Sequence, residues 1–414
     1  MPASSTDTAA APETLTATRR GRPVLLGGTA IAGLLFAAHF FNDLFSGTLA
    51  ALLPTLQLRF GLTETVLALF VASLSLSSSV VQPLFGAVAD RLGRRVVAAG
   101  GVITSSVLLS LIPVMPSPLL LVPLLLIGGL GSAAFHPAGT AIARQVAKRK
   151  GGLALGIFSA GGTVGMAFGP LVIGVLLIND WLAYSPLLMI PGVLLGVAIY
   201  LLLPPQPRVS RGQGARVFDI ELFKGPVGQL CLAGILRSMS WTAIVNGAPL
   251  WLVSAKGLSP TDPVVFWTIT VFTASGAVGG ILAGMVESRI SRQVLVTGTM
   301  LLALVPLAGL LLSQPGSFLY FAAVVAAGML ANGGLPIMVV TAQDAAPHAV
   351  ATASGMMMGL TWGTAGVLYL AVGALQESIG MQAAMWWSIV PLVPGALLAH
   401  RVLRRLEAGQ VTGQ

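Results

Sequence analysis

The chain is short of charge. Asp, Glu, Lys and Arg together make up 8% of its 414 residues, against roughly a quarter in soluble domains. So few charges cannot solvate the surface of a soluble protein of this length, whereas 55% hydrophobic residues suit a surface that faces lipid. The shortage therefore excludes an ordinary soluble domain and predicts an integral membrane protein.

Cysteine is almost absent. The single residue, Cys231, lies in an apolar stretch and cannot form an intrachain disulfide, so we expect it to be a small packing residue. The sequence also lacks a metal-ligand motif, a phosphate loop and a nucleotide motif, so it predicts no metal, no cofactor and no ATP-driven pump. The net charge of +9 does not indicate a nucleic-acid partner, because the basic residues lie in short loops between apolar runs.

The chain is rich in long apolar runs. A bilayer core needs about 20 apolar residues per helix, and twelve runs meet this length. The predicted spans are approximately Val24–Leu53, Glu64–Phe85, Val96–Met115, Leu119–Ala143, Leu153–Ile178, Ser185–Leu203, Pro226–Val253, Pro263–Met285, Val294–Leu312, Phe318–Thr341, Ala351–Gln376 and Met381–Val402. They imply a disordered N-terminus (1–23), a first half (24–203), a linker (204–225), a second half (226–402) and a tail (403–414).

The basic residues are distributed unevenly between the two sides of these spans. One side holds only Arg59 and Lys256, whereas the other holds all remaining Lys and Arg outside the spans. Because cytoplasmic loops carry the excess of Lys and Arg, we expect both termini and the linker in the cytoplasm. The chain is thus predicted to be a multi-pass protein of a bacterial-type inner membrane, and we expect a monomer.

A charged loop occurs once in each half. Residues Gly86–Arg95 read GAVADRLGRR, and a degraded copy, Gly284–Gln293, follows 198 positions later. Other residues recur at nearly the same offset, Pro137 with Pro336 among them. The repetition predicts two parallel six-helix halves with a binding site at their interface.

This loop and the twelve spans resemble the major facilitator superfamily. Three segments resemble its fosmidomycin-resistance branch: His39-Phe-Phe-Asn42-Asp43, Phe135-His136-Pro137 with Arg144, and Gly161-Gly162. Gly165–Gly174 is similar to the Gly-Pro motif of its proton-coupled exporters. The resemblance implies an all-α membrane protein with twelve transmembrane helices in two pseudo-symmetric six-helix halves, the major facilitator fold. It also implies transport of a small molecule by alternating access.

Asp43 is the only acid well inside a predicted span, with His39 one turn away on the same helix face. Ionisable groups inside a membrane are usually functional and paired, and burial favours the protonated acid. We therefore expect Asp43, with His39 and His136, to carry a coupling proton or to contact substrate. The alternatives are a polar contact that pins the first helix, and a His136 that hydrogen-bonds a carbonyl freed by Pro137.

Arg237 is the only basic residue inside a span. Its planar fork suits a carboxylate or a phosphonate, so it is a candidate substrate ligand, while a permanent pair with Asp43 is the alternative. Other polar or aromatic residues of the spans are predicted to line the cavity unless they serve packing: Asn42, Trp241, Asn246, Asn332, Trp362 and Tyr369.

Two motifs are expected to act on conformation. In the resembling family the loop locks the cytoplasmic side in the outward-facing state; its residues here are Gly86, Asp90, Arg91, Gly93, Arg94 and Arg95. A topology signal alone is the alternative. In the fifth span, small residues at Gly165, Gly169 and Gly174 allow close helix contact, and Pro170 adds a kink. That motif indicates either packing or an exporter-specific seal.

The sequence as a whole predicts a proton-coupled antiporter that exports small, in some cases anionic, drugs or metabolites. An uptake symporter or uniporter for an organic anion is the alternative, and a membrane enzyme or receptor is a third. Protons, a small molecule and the lipid bilayer are the expected partners. A continuous cavity lined by the first, fourth, seventh and tenth spans, open to one side, is expected to hold Asp43 and Arg237.

Overall fold

The computed structural model describes residues 27–146, 151–203, 220–347 and 349–412, and these residues form helices joined by short turns. The predicted disordered N-terminus, linker residues 204–219 and the last two residues of the tail lie outside the described residues. The twelve helical units, numbered in chain order, each coincide with one predicted span.

In the first half the units are α1 (Gly28–Phe60), α2 (Glu64–Ser75, Leu76–Val80 and Gln82–Leu92), α3 (Arg94–Ser110), α4 (Pro118–Val146), α5 (Gly151–Ile178) and α6 (Met189–Leu202). In the second half they are α7 (Pro226–Ser254), α8 (Pro263–Val286), α9 (Arg292–Leu302 and Leu304–Leu312), α10 (Phe318–Gly333 and Leu335–Ala345), α11 (Val350–Gly355, Met356–Leu360 and Thr361–Ile379) and α12 (Met381–Trp387 and Leu392–Thr412). A short helix, Ile220–Lys224, precedes α7.

Ten helices of the described chain are long and apolar enough to cross a bilayer, and the bent unit α2 is an eleventh. The unit α7, with 29 residues, is long enough to cross but is absent from that set. Its interior carries polar groups that lower its hydropathy, Arg237 and Asn246 among them. The all-helical membrane fold is confirmed, while the count of twelve spans stays a prediction.

Two units contain a π-helical turn, at Leu76–Val80 in α2 and at Met356–Leu360 in α11. In α2 the chain bends by 44° after this turn, where Pro83 starts the next segment. Proline lacks the N–H that would continue the helical ladder, and π-turns are associated with kinks and with functional positions.

Glycines bring α1 and α5 into backbone contact. A Cβ at Gly161, Gly165 or Gly169 of α5 would collide with the carbonyl groups of Phe36, Phe40 and Leu44 of α1, respectively. Gly165 and Gly169, predicted either to allow packing or to form an exporter-specific seal, therefore lie directly against the α1 backbone. Gly174 differs, because a Cβ there would meet Phe266 of α8 in the other half, 2.6 Å from its Cδ2.

The two ends of the bundle differ. We call the end with Gly86–Arg95 and Gly284–Gln293 the basic end and the other the opposite end. Close contacts between the halves run from mid-bundle towards the opposite end, where α2 packs on α11 and α5 on α8. Among described residues, no ion pair or side-chain hydrogen bond joins the halves at the basic end.

The close contact of α1 and α5 predicts that two glycine-to-alanine substitutions in α5 have different effects on stability. Gly165→Ala places a methyl group into the α1 backbone, and such overpacking costs about 1–3 kcal/mol. Gly156→Ala has open space and should be neutral or stabilise by roughly 0.5–1 kcal/mol through helix propensity. Thermal unfolding in detergent measures both, and equal stability of the two variants would contradict the direct packing.

Candidate functional site

The structure gathers three predicted residues into one cluster in the first half. Asp43 of α1 lies between two imidazoles: its Oδ2 is 3.2 Å from His39 Nε2, and its Oδ1 is 3.2 Å from His136 Nε2 of α4. Asp43 is only 8% exposed, so it does not face lipid. A buried carboxylate needs such partners, because desolvating an unpaired charge is costly.

Backbone carbonyls determine the tautomer of both histidines. His39 Nδ1 lies 2.7 Å from the carbonyl oxygen of Phe158, and His136 Nδ1 lies 2.8 Å from that of Ser132. A carbonyl oxygen can only accept, so each Nδ1 carries a hydrogen and donates it. In its neutral form each imidazole therefore turns an Nε2 lone pair towards Asp43.

This geometry makes the cluster a proton acceptor. Without an added proton, lone pairs on both Nε2 atoms face the carboxylate oxygens and repel them. One proton turns one contact into an attractive pair, and a second proton does the same for the other, giving two imidazolium groups around one carboxylate. The contacts are thus favourable after the cluster has taken up one or two protons.

A hydrogen-bond network holds the carboxylate in place. Asn42 Nδ2 donates to Asp43 Oδ1 and to Ser132 Oγ, both at 2.9 Å. Ser105 Oγ of α3 donates to Asn42 Oδ1 at 2.8 Å. Asn42, which the sequence predicts to line the cavity, has its amide occupied by this network, with Nδ2 donating to Asp43 and Ser132 and Oδ1 accepting from Ser105.

Sequence reasoning missed Ser105, Ser132 and Phe158, which are single residues without a pattern; the Phe158 ring stacks on His39 at 4.1 Å. Phe135 and Gly162 belong to the segments that resemble the fosmidomycin-resistance branch, but their contacts were not predicted. Phe135 packs edge-on against the His39 ring. A Cβ at Gly162 would collide with His39 Nε2 and with Asp43 Oδ2, at 2.5 Å from the latter.

The packing alternative for His136 is wrong in its detail. Pro137 lacks the N–H that would reach the carbonyl of Ala133, but His136 Nδ1 bonds the carbonyl of Ser132 instead, and its Nε2 remains directed at Asp43. The sequence also predicted no metal cluster. The structure nevertheless brings one possible ligand atom each of His39, Asp43 and His136 within 4.8 Å of one another. This set of two imidazoles and a carboxylate could also share a divalent ion.

Arg237 forms a second, separate cluster in the other half. It is 1% exposed; its Nη1 donates to the Ala331 carbonyl and to Asn332 Oδ1 at 3.0 Å, and its Nη2 donates to Ser238 Oγ at 2.9 Å. Its guanidinium also lies over the Trp362 ring at 5.2 Å. Among described residues no acid lies within ion-pairing distance of it, and its Nε–H has no partner.

The direct pair of Arg237 with Asp43, considered from the sequence, is therefore not formed. Of the other predicted lining residues, Trp241 contacts the ring of Trp362 edge-on, with ring centroids 6.0 Å apart. Asn246 instead donates to the carbonyl of Thr242 in its own helix. Tyr369 is buried near Gly247 and makes no contact with Arg237 that the structure records.

The repeated loops are stabilised within their own halves. Asp90 accepts from Arg94 at 2.9 Å, and Arg95 donates to the Leu203 carbonyl, while Arg91 is exposed. Gly93 has φ +103°, a backbone conformation that favours glycine. In the second copy, Arg292 pairs with both Glu287 and Asp344.

Comparison with known proteins agrees with this architecture. Residues 35–227 match the family model described as Major Facilitator Superfamily. The chain is 27% identical over 357 residues to an uncharacterized MFS-type transporter of Bacillus subtilis strain 168, YfnC, covering 84% of this chain and 86% of the relative. It is 25% identical over 367 residues to the fosmidomycin resistance protein of Escherichia coli K12, covering 85% and 87%.

More distant similarities point the same way. A hexuronate transporter of Escherichia coli K12 is 24% identical over 399 residues, covering 88% of this chain and 91% of the relative. In fold, the chain matches a crystal structure of the nucleoside transporter NupG (D323A mutant) with a TM-score of 0.77 at 14% identity, covering 90% and 99%. Residues 35–227 therefore form a major facilitator superfamily domain, and the chain has the fold and the relatives of a transporter of that superfamily.

Proposed function

We propose that this protein is a secondary active transporter that exports small drugs or metabolites in exchange for protons. The observation that carries the proposal is the buried cluster of Asp43, His39 and His136, whose fixed Nδ1–H tautomers leave three proton-accepting groups face to face. Because intramembrane ionisable groups are rare and usually functional, the cluster is our candidate for the coupling proton.

Arg237 is the candidate substrate ligand. A buried guanidinium without a carboxylate partner is costly, and its unpartnered Nε–H is a donor aimed at no acceptor. A carboxylate or phosphonate oxygen would supply the missing acceptor. Trp362, which lies against the guanidinium, and Trp241, which contacts Trp362, would contact the rest of the substrate. The relative named a fosmidomycin resistance protein supports export of a small drug.

Separate clusters require coupling through conformation. A protonated cluster carries up to one net positive charge, which attracts an anion on Arg237 and by itself favours symport. Exchange requires the opposite linkage, in which protonation weakens substrate binding by favouring the other conformation. Export by antiport therefore depends on a gate that responds to the state of Asp43.

Uptake of an organic anion by symport or uniport is the second candidate function. The buried, uncompensated Arg237 is compatible with it, and a hexuronate transporter is among the relatives. Because family and structural relatives are transporters, a membrane enzyme or receptor has no comparable support. We further propose an inner-membrane location with the basic end in the cytoplasm and a monomeric protein.

Inverted vesicles with an imposed pH gradient test the function directly. An exporter that exchanges substrate for protons accumulates substrate when the lumen is acidic, whereas a symporter releases preloaded substrate under the same gradient. The panel comprises fosmidomycin, simple phosphonates, hexuronates and neutral antibiotics. Parallel assays with EDTA or added Zn²⁺ separate a proton site from a metal site, since chelation leaves a proton site unaffected.

Removing the Asp43 carboxylate should uncouple transport from the proton gradient. Asp43→Asn cannot pair with an imidazolium, so we expect pH-driven transport to fall to background while substrate binding remains with reduced pH dependence. Asp180→Asn, an exposed loop variant, is the control and should transport normally. Native-rate export against a gradient by Asp43→Asn would place the proton site elsewhere, with His39 or His136 next in line.

Gly162 offers a test that retains every ionisable group. In Gly162→Ala the new methyl group pushes His39 and Asp43 apart, so we expect pH-driven transport to fall by up to about a hundredfold, the loss that misplacement by about 1 Å can cause in an active site. Gly156→Ala on the same helix has open space and serves as the matched control. Full coupling in Gly162→Ala would show that the close approach of His39 and Asp43 is dispensable.

The loop Gly86–Arg95 should matter for transport and not for insertion. Asp90→Asn removes a partly exposed ion pair that contributes little stability, and Gly93→Val forces a β-branched residue into positive φ. We expect both variants to reach the membrane in normal amounts with strongly reduced transport. Normal rates in both would identify the loop as a topology signal alone.

A further inference from the structure

One side-chain hydrogen bond joins the two halves in the part of the chain that the structure describes. Thr65 Oγ1, in the first turn of α2, donates to Glu377 Oε2, near the end of α11, at 2.6 Å. No ion pair links the halves within the same described residues. The bond lies at the opposite end of the bundle, far along the chain from either charged loop.

The Glu377 carboxylate acts as a cap supplied from the other half. It also faces the Thr63 hydroxyl and the Thr65 N–H, and Thr63 is the N-cap residue of α2. The first turn of any helix has N–H groups without intrahelical partners, and its positive end favours a carboxylate. Glu377 therefore completes the N-terminal cap of α2 across the boundary between the halves.

Below this cap the halves meet almost backbone to backbone. A Cβ at Gly373, Gly366 or Gly363 of α11 would collide with Ala68, Ser75 or Val80 of α2, respectively. These glycines make the α2–α11 contact close over several helical turns. The seam is thus shut in this structure, with the cap at its outer rim.

Closing the seam also buries two polar side chains. Gln376 and Tyr369 of α11 are 2% and 1% exposed. The Gln376 amide faces the Tyr369 hydroxyl, but neither group makes a hydrogen bond of standard geometry. They lie beside Gly247 of α7. Buried polar groups without partners favour a state in which water reaches them, so they act against closure while the Glu377 cap acts for it.

We propose that Glu377 is a latch that holds the opposite end shut, balanced against the poorly hydrogen-bonded Gln376 and Tyr369 beneath it. Alternating access requires this seam to open. Opening sacrifices the helix cap that Glu377 supplies, and it lets water reach the buried Gln376 amide, which offsets part of that loss. The proposal concerns the conformational balance and stands independently of which substrate or ion is carried.

Thiol labelling measures the opening of the seam without substrate or gradient. Ala68→Cys, in a Cys231→Ser background, places a thiol at a fully buried position against Gly373, so a maleimide reaches it in lipid nanodiscs only when the seam opens. Losing one cap shifts an equilibrium about fivefold. We expect Glu377→Gln to raise the labelling rate by about that factor, and Gln376→Met to lower it.

Two controls separate the latch from general effects of charge. Glu64→Gln removes a carboxylate from the same turn of α2, but Glu64 accepts from Gln57 within its own half, so the labelling rate should stay near that of the parent. Thr65→Val should mimic Glu377→Gln, and the double variant should be no faster than either single one.

Hydrogen exchange of residues 61–68 in the chain without Ala68→Cys provides a second readout, in case the reporter cysteine disturbs packing. Faster exchange in Glu377→Gln and Thr65→Val alone supports the latch. Unchanged labelling and exchange in Glu377→Gln would overturn it, as would an equal increase in Glu64→Gln.

Discussion

The cost of ionised groups in a lipid-facing bundle governs the organisation of this protein. A carboxylate inside such a bundle must find partners, and Asp43 finds two imidazoles whose far nitrogens are tied to backbone carbonyls. The arrangement needs α1, α4 and α5 to approach closely, which the glycines at the α1–α5 contact permit. The same glycine-lined contact therefore packs the helices together and leaves room for Asp43 and its two imidazole partners.

The two halves stabilise their buried ionisable groups in different ways. In the first half the acid is surrounded by groups that can take up protons, so the cluster adjusts its own charge. In the second half Arg237 has neutral acceptors and a tryptophan face but no acid among the described residues. A guanidinium cannot discard its charge. Among the described residues, α1 and α7 thus carry unlike ionisable groups: an acid between two imidazoles in one half, and a guanidinium without an acid partner in the other.

The two ends of the bundle are equally unlike. At the basic end, the repeated loops keep their ion pairs inside their own halves, which leaves the described parts of the halves unlinked there by polar side chains. At the opposite end, glycine contacts and the bond from Thr65 to Glu377 join α2 to α11. The described structure is therefore closed at the end that carries Arg59 and Lys256.

Much of the fold can be predicted from the order of the residues along the chain. Apolar runs of bilayer length, the uneven Lys and Arg, and the repeated loop specify a duplicated helical membrane protein, because hydropathy and local charge act along the chain. Asp43 and Arg237 stand out for the same reason, as rare ionisable residues within apolar runs.

A sequence pattern does not show which distant residues come into contact. Whether Arg237 meets Asp43, which carbonyl His136 bonds, and why Gly162 must lack a side chain depend on how helices pack. Glu377 lies just beyond the predicted span that ends at Gln376, and only the approach of α11 to the first turn of α2 makes it a cap, because a free helix terminus attracts whichever carboxylate the tertiary structure brings to it.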